Sequence, residues 1–83
     1  MSLDEIIKDI NAFVMKHFEI DDDPDYSPDV NLFDYGYVDS LGATEIILYI
    51  EEHFNCTISQ KDISMYPMNT VQEIAQVVAE KLR

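Results

Sequence analysis

Basic residues are scarce in this chain. Five Lys and Arg stand against 17 Asp and Glu, a formal net charge of −12 over 83 residues. A phosphate backbone is repelled by such a surface, so nucleic acid is not an expected partner. Anionic lipid is disfavoured for the same reason. The acidity suits encounter with basic proteins, or simply solubility. Cysteine is limited to Cys56, which excludes an intramolecular disulfide framework. Two Gly and three Pro leave little composition for a disordered or loop-dominated chain, and Trp is absent. Long apolar runs are missing too. The longest is Ile46–Ile50, far short of the ~20 residues that span a bilayer, so no membrane insertion is expected. Asp4, Glu5 and Asp9 occupy positions where a secretory leader would be basic and then apolar. The expectation is a soluble, cytoplasmic protein organised as a single domain over 1–83 with a modest core, and a monomer.

What is present has helical spacing. Leu3, Ile6, Ile7, Ile10, Phe13, Val14 and Phe18 fall on one face of a helix over 3–18, about 24 Å long. Ser2 and Glu5 form a capping box at its start. Residues 19–39 break the pattern with Asp21-Asp22-Asp23-Pro24 and Ser27-Pro28. So long a connection is unusual in a compact domain. Tyr26, Val30, Leu32, Phe33 and Tyr35 are expected to pin it across the helices in an ordered form. A second helix is expected over 40–54, with Asp39 as N-cap, Asn55 as C-cap and Ala43, Ile46, Ile47, Ile50 and Phe54 buried. Ser59 to about Met65 reads as one or two helical turns ended by Pro67. Thr70 to Leu82 reads as a last helix, with Thr70 and Glu73 as a capping box and Val71, Ile74, Ala75, Val78 and Leu82 buried. No strand pattern competes. The expected fold is all-α: a small four-helix bundle of three main helices and one short one, with a long ordered loop between the first two.

Three kinds of chemistry fail on spacing. Ser40 has no base beside it: His53 is thirteen residues along the same helix, roughly 20 Å away. A nucleophile elbow needs Gly on both sides of the serine after a strand, and Val38 stands at the first of those positions. Asp21, Asp23 and Asp25 share the spacing of the first calcium-loop ligands, but Tyr26 and Leu32 occupy the positions that require Gly and Glu. His17, His53 and Cys56 share no metal-ligand spacing, so no metal site is expected. The two histidines suit helix C-termini, where a cation meets the dipole.

Ser40 therefore reads as an attachment point or a cap, not a nucleophile. The segment Leu32-Phe33-Asp34-Tyr35-Gly36-Tyr37-Val38-Asp39-Ser40-Leu41-Gly42-Ala43-Thr44-Glu45, followed by Ile50-Glu51-Glu52-His53-Phe54, resembles the acyl carrier protein family. The resemblance continues through Ile58, Asp62-Ile63 and Thr70-Val71-Gln72-Glu73-Ile74, covering nearly the whole chain. It implies a carrier and not an enzyme, with 4′-phosphopantetheine joined to Ser40 by a phosphodiester and cargo held as a thioester. It implies a phosphopantetheinyl transferase as activator, and acyl- or aminoacyl-loading, condensing and transfer enzymes with basic docking surfaces as partners. Fatty acid, polyketide or related acyl biosynthesis is the first role implied. Three features depart from fatty-acid carriers, one being a longer stretch from Ile63 to Met68 with Tyr66-Pro67. Gly42 stands where those often have an acid, and Tyr37-Val38 before Asp39 is similar to stand-alone aminoacyl carriers, D-alanyl carriers included. A stand-alone aminoacyl or peptidyl carrier serving a dedicated adenylating enzyme is the alternative. An acidic helical adaptor, with Ser40 only a cap, is the alternative of another class.

Within the carrier reading, the docking face is expected to be the second helix. Asp39, Glu45, Glu51 and Glu52 would meet basic side chains, and Leu41, Thr44 and Leu48 would lie along the approach to Ser40. A cleft for an acyl chain is expected between that helix and Asp62–Met68, lined by Ile46, Ile50, Phe54, Ile63, Ala75 and Val78.

Overall fold

Side-chain caps set where the helices begin. In the computed structural model, which describes all residues from Met1 to Arg83, the chain forms α1 (Leu3–His17), α2 (Ser40–Phe54), α3 (Gln60–Met65) and α4 (Val71–Lys81), with no strand. Ser2, Ser59 and Thr70 each accept from the backbone of the third helical residue, and Glu5, Asp62 and Glu73 return the bond. Asp39 alone caps α2, and Asn55 ends it in the left-handed conformation that Asn tolerates. No helix is long and apolar enough to cross a membrane.

The architecture is a small four-helix bundle in which α1 and α4 make the principal helix pair. Ile6, Ile10 and Val14 of α1 meet Val71, Ile74, Ala75, Val77 and Val78 of α4, and Ile46, Ile50 and Phe54 of α2 complete the core. The apolar stripes differ from expectation within α2, where Ala43 and Ile47 are only half-buried, and at the helix ends. α1 stops at His17 and Phe18 is its C-cap; Leu82 is the C-cap of α4, and both Leu3 and Leu82 are exposed because terminal turns project beyond the neighbouring helices. Val77 is buried although it lies beside the expected stripe, since α4 is covered on two sides.

The long loop is ordered by its backbone as much as by its side chains. Leu32 N–H donates to Asn69 O (2.8 Å) and Gln72 N–H donates to Pro28 O (3.1 Å), which ties the loop to the start of α4. Leu32 is fully buried, and Tyr26 packs against the core with its hydroxyl donating to Asn11 Oδ1 (2.6 Å). Of the residues expected to pin the loop, Tyr35 is exposed, and Phe33 is only partly covered and outside the core. Ile20 and Val38 do that work instead, one at each end of the loop. Asn31 Oδ1 accepts from Phe33 and Asp34 N–H, and Leu32 O accepts from Tyr37 and Val38 N–H, so residues 31–38 form a closed knuckle that delivers the chain into α2.

Candidate functional site

The knuckle ends at Asp39, whose backbone is extended and whose Oδ1 accepts from Gly42 N–H at 2.8 Å. Ala43 N–H donates to Asp39 O at 2.9 Å. The cap is thus Asp39 and not Ser40. Ser40 is the first helical residue, exposed, with a hydroxyl that engages no other group, while its carbonyl accepts from Thr44 Oγ1 at 3.2 Å. The cap that the adaptor reading assigned to Ser40 is therefore supplied by its neighbour.

Neither histidine serves Ser40. His17 Nε2 lies 3.4 Å from Glu45 Oε1, and His53 Nε2 lies 2.7 Å from Asp9 Oδ2. Asp9 also accepts from Tyr49 Oη; burial, then this hydrogen bond and the Asp9 charge, raise the tyrosine's pKa. Phe13 stacks on both His17 and Tyr49, and Tyr49 stacks on His53, so the histidines belong to an aromatic seam between α1 and α2. The acidic loop is equally occupied: Asp23 accepts from Asp25 N–H and from Tyr37 Oη. No group of three potential metal ligands converges anywhere in the chain. Cys56 is half-buried, and burial, then Glu51, push its thiol pKa up, which makes it a poor nucleophile.

The residues expected to dock partners do not form one class. Leu41 is 69 % exposed and Leu48 52 %; Asp39, Thr44 and Glu52 are exposed as well. Glu45 is half-buried beside His17. Glu51 is committed inside the chain, its Oε2 accepting from Ile58 N–H at 2.9 Å and closing the loop after α2.

A cavity of about 410 Å³ opens between α2 and the segment 63–69. Ile46 and Ile63 are on its wall, as expected, but Ile50, Phe54, Ala75 and Val78 are core residues and do not reach it. The cavity sits at the Ser40 end of α2, so its helical wall is Ala43, Ile46 and Ile47, one to two turns from the serine; Ile50 and Phe54 lie farther down and face the bundle axis. Phe33, Met65 and Met68 add to the apolar lining. Sequence reasoning missed them because a loop aromatic, the last residue of a six-residue helix and a loop Met carry no readable periodicity.

The short α3 that borders this cavity is tethered through one carboxylate. Asp62 is 8 % exposed, and its Oδ2 accepts from Ser59 N–H (2.9 Å), Ser59 Oγ–H (2.9 Å) and Lys81 Nζ (2.7 Å). The Lys81 bond, then the Ser59 bonds, hold its pKa at about 2.

The profile of the family described as "Phosphopantetheine attachment site" matches residues 14–78. The chain belongs to that family. It is a carrier protein and not an enzyme, and its cofactor is covalently attached 4′-phosphopantetheine. The carrier is 33 % identical over 54 residues to the D-alanyl carrier protein of Bacillus licheniformis, a match spanning 65 % of this chain and 69 % of the relative. It is 35 % identical over 52 residues to that of Streptococcus mutans, and 40 % identical over 52 residues to that of Streptococcus pyogenes serotype M1; each match spans 63 % of this chain and 66 % of the relative.

The residues present fit the cofactor. Ser40 offers a free hydroxyl at an accessible helix start, and the N–H groups of Ser40 and Leu41 have no backbone or side-chain acceptor in the chain. Such donors and the positive end of a 15-residue helix favour an anion there.

Proposed function

We propose that Ser40 bears the phosphopantetheine arm and that the cargo is an aminoacyl group loaded by a dedicated adenylating enzyme. The observation that carries the attachment is the exposed, unbonded Ser40 hydroxyl beside a cap supplied by its neighbour. The arm's thiol, when present, holds the cargo as a thioester; the chain's own residues present the serine, shape the approach and leave the chemistry to partner enzymes. Tethering raises the effective concentration of cargo at each partner.

One observation supports an aminoacyl cargo over a fatty one: the relatives are D-alanyl carrier proteins. An aminoacyl ammonium would find no charged partner in the cavity beside Ser40 and would stay in water. The second reading, an acyl carrier of fatty acid or polyketide synthesis, is favoured by that same cavity, whose apolar wall suits a short acyl chain. In either case the partners are a phosphopantetheinyl transferase and loading enzymes with basic surfaces, and the carrier works as a cytoplasmic monomer. The experiment is to convert the chain with coenzyme A and a transferase, then offer the holo form to an adenylating enzyme with D-alanine and, separately, to an acyl-loading enzyme. Intact mass should show one pantetheinyl addition, lost in Ser40→Ala, and then the aminoacyl addition. Loading by the acyl enzyme alone would overturn the aminoacyl cargo, and addition to the Ser40→Ala chain would overturn the site.

A further inference from the structure

The start of α2 is held from outside by a single aromatic ring. Phe18, the C-cap of α1, lies against Gly42: a Cβ at position 42 would sit 2.8 Å from Phe18 Cε1, 3.2 Å from Phe18 Cζ and 2.9 Å from Val38 Cγ1. Gly42 is not required by its dihedral angles, since only Gly36 among the glycines has a positive φ. It is required by space. The bare Cα makes a notch that the ring fills together with the Val38 side chain.

The ring is itself well fixed. Glu19, in the left-handed region at φ 57, turns the chain back; Ile20 N–H then donates to Met15 O at 2.9 Å while its side chain enters the core. His17 meets Phe18 edge-on, with ring centroids 4.8 Å apart, and reaches Glu45 one turn along α2. The residue in the notch, Gly42, is the one whose N–H closes the Asp39 cap.

We propose that Phe18 is a positioning residue for the modification of Ser40, acting through the Gly42 notch to fix the Asp39–Ser40 turn in the orientation that the transferase requires. The inference rests on attachment at Ser40. It assigns Gly42 a steric role: any side chain there expels the ring. Since Leu41, Leu48 and Glu52 lie outside this contact, loosening it should spare encounter and impair the placement of the nucleophilic oxygen.

The test follows pantetheinyl transfer from coenzyme A by intact mass in wild type, Phe18→Ala, Phe18→Leu, Gly42→Ala and Phe18→Ala/Gly42→Ala. Folding is checked by circular dichroism. Phe18→Ala and Gly42→Ala should each lower kcat about ten-fold with KM changed less than about two-fold, the pattern of a misplaced reacting group. Because both changes disrupt one contact, the double variant should fall about ten-fold and not about a hundred-fold. If Phe18→Ala does not fold, Gly42→Ala, which removes no apolar surface, and Phe18→Leu carry the same comparison. A folded Phe18 variant with wild-type kcat, a loss confined to KM, or multiplicative effects in the double variant overturns the inference alone. A wild-type chain that takes no group at Ser40 overturns the attachment, and this inference with it.

Discussion

Asp39 and Ser40 divide two tasks that a single residue often combines. The aspartate satisfies the helix, and the serine is left free for chemistry. Their substitutions should therefore separate. Asp39→Ala should cost about 1 kcal/mol in thermal or urea unfolding, the usual loss for an N-cap. Ser40→Ala should stay within about 0.5 kcal/mol of wild type, because it removes neither a cap nor core area. A stability loss at Ser40 equal to that at Asp39 would mean that the hydroxyl is structurally engaged. Just past the C-cap of α1, Glu19 occupies a left-handed position that suits glycine. Glu19→Gly should stabilise the fold by up to about 1 kcal/mol, the relief of left-handed strain exceeding the entropy cost; an unchanged unfolding midpoint would show that Glu19 makes a compensating contact. The pairing of Asp39 with Ser40 was legible in the sequence, since Asp before a helical stripe is a capping signal. The roles of Glu19 and Gly42 were not. Both depend on what lies against the residue in space, and no local pattern marks either one.

Among the elements, α3 is the one that depends most on a polar anchor. It has six residues, too few to show helical periodicity or to be stable alone. Its one buried residue is Asp62, held by Ser59 and Lys81. The sign of the pH effect follows from the depressed pKa of about 2. The unfolded carboxylate titrates at about 3.9, so the folded state is favoured fully above that value, progressively less below it, and no further once the pH falls through about 2. Amide exchange over residues 60–66 should accelerate in Asp62→Asn at neutral pH, whereas α1 and α4 should keep wild-type protection. Lys81→Met should accelerate the same segment to a lesser degree, since the Ser59 bonds survive. Uniform acceleration across all four helices would show instead that Asp62 supports the whole bundle. The three longer helices were legible because each combines a cap with a repeating apolar stripe. The cavity was legible only in outline. The stripe shows which residues leave water, but not whether they face a void or the bundle axis, and four of the six expected wall residues proved to be core.

At the scale of the whole molecule the surface is acidic, and the acids differ in what they are free to do. Glu51 closes the loop after α2, so reversing its charge would disturb Ile58 before it tested any partner. Glu52 is exposed, and Glu45 shares its carboxylate with His17. Glu45→Gln with Glu52→Gln is thus the cleaner probe of docking, moving the net charge from −12 to −10 by removing two negative charges. Exposed rim charges act on encounter rate and are screened by salt, with a Debye length of about 10 Å at 0.1 M. The double variant should slow pantetheinylation about three-fold or more at low ionic strength, and the difference should shrink toward nothing at high salt. Leu48→Ala should behave oppositely. An exposed apolar side chain two turns from Ser40 adds contact area in the complex, so its loss should shorten the lifetime of the bound state at any salt concentration. Stopped-flow association and dissociation with the transferase separates the two. Should both variants retain wild-type association and dissociation rates at low salt, the second helix would not be the docking face, and the acidity of this carrier would serve solubility alone.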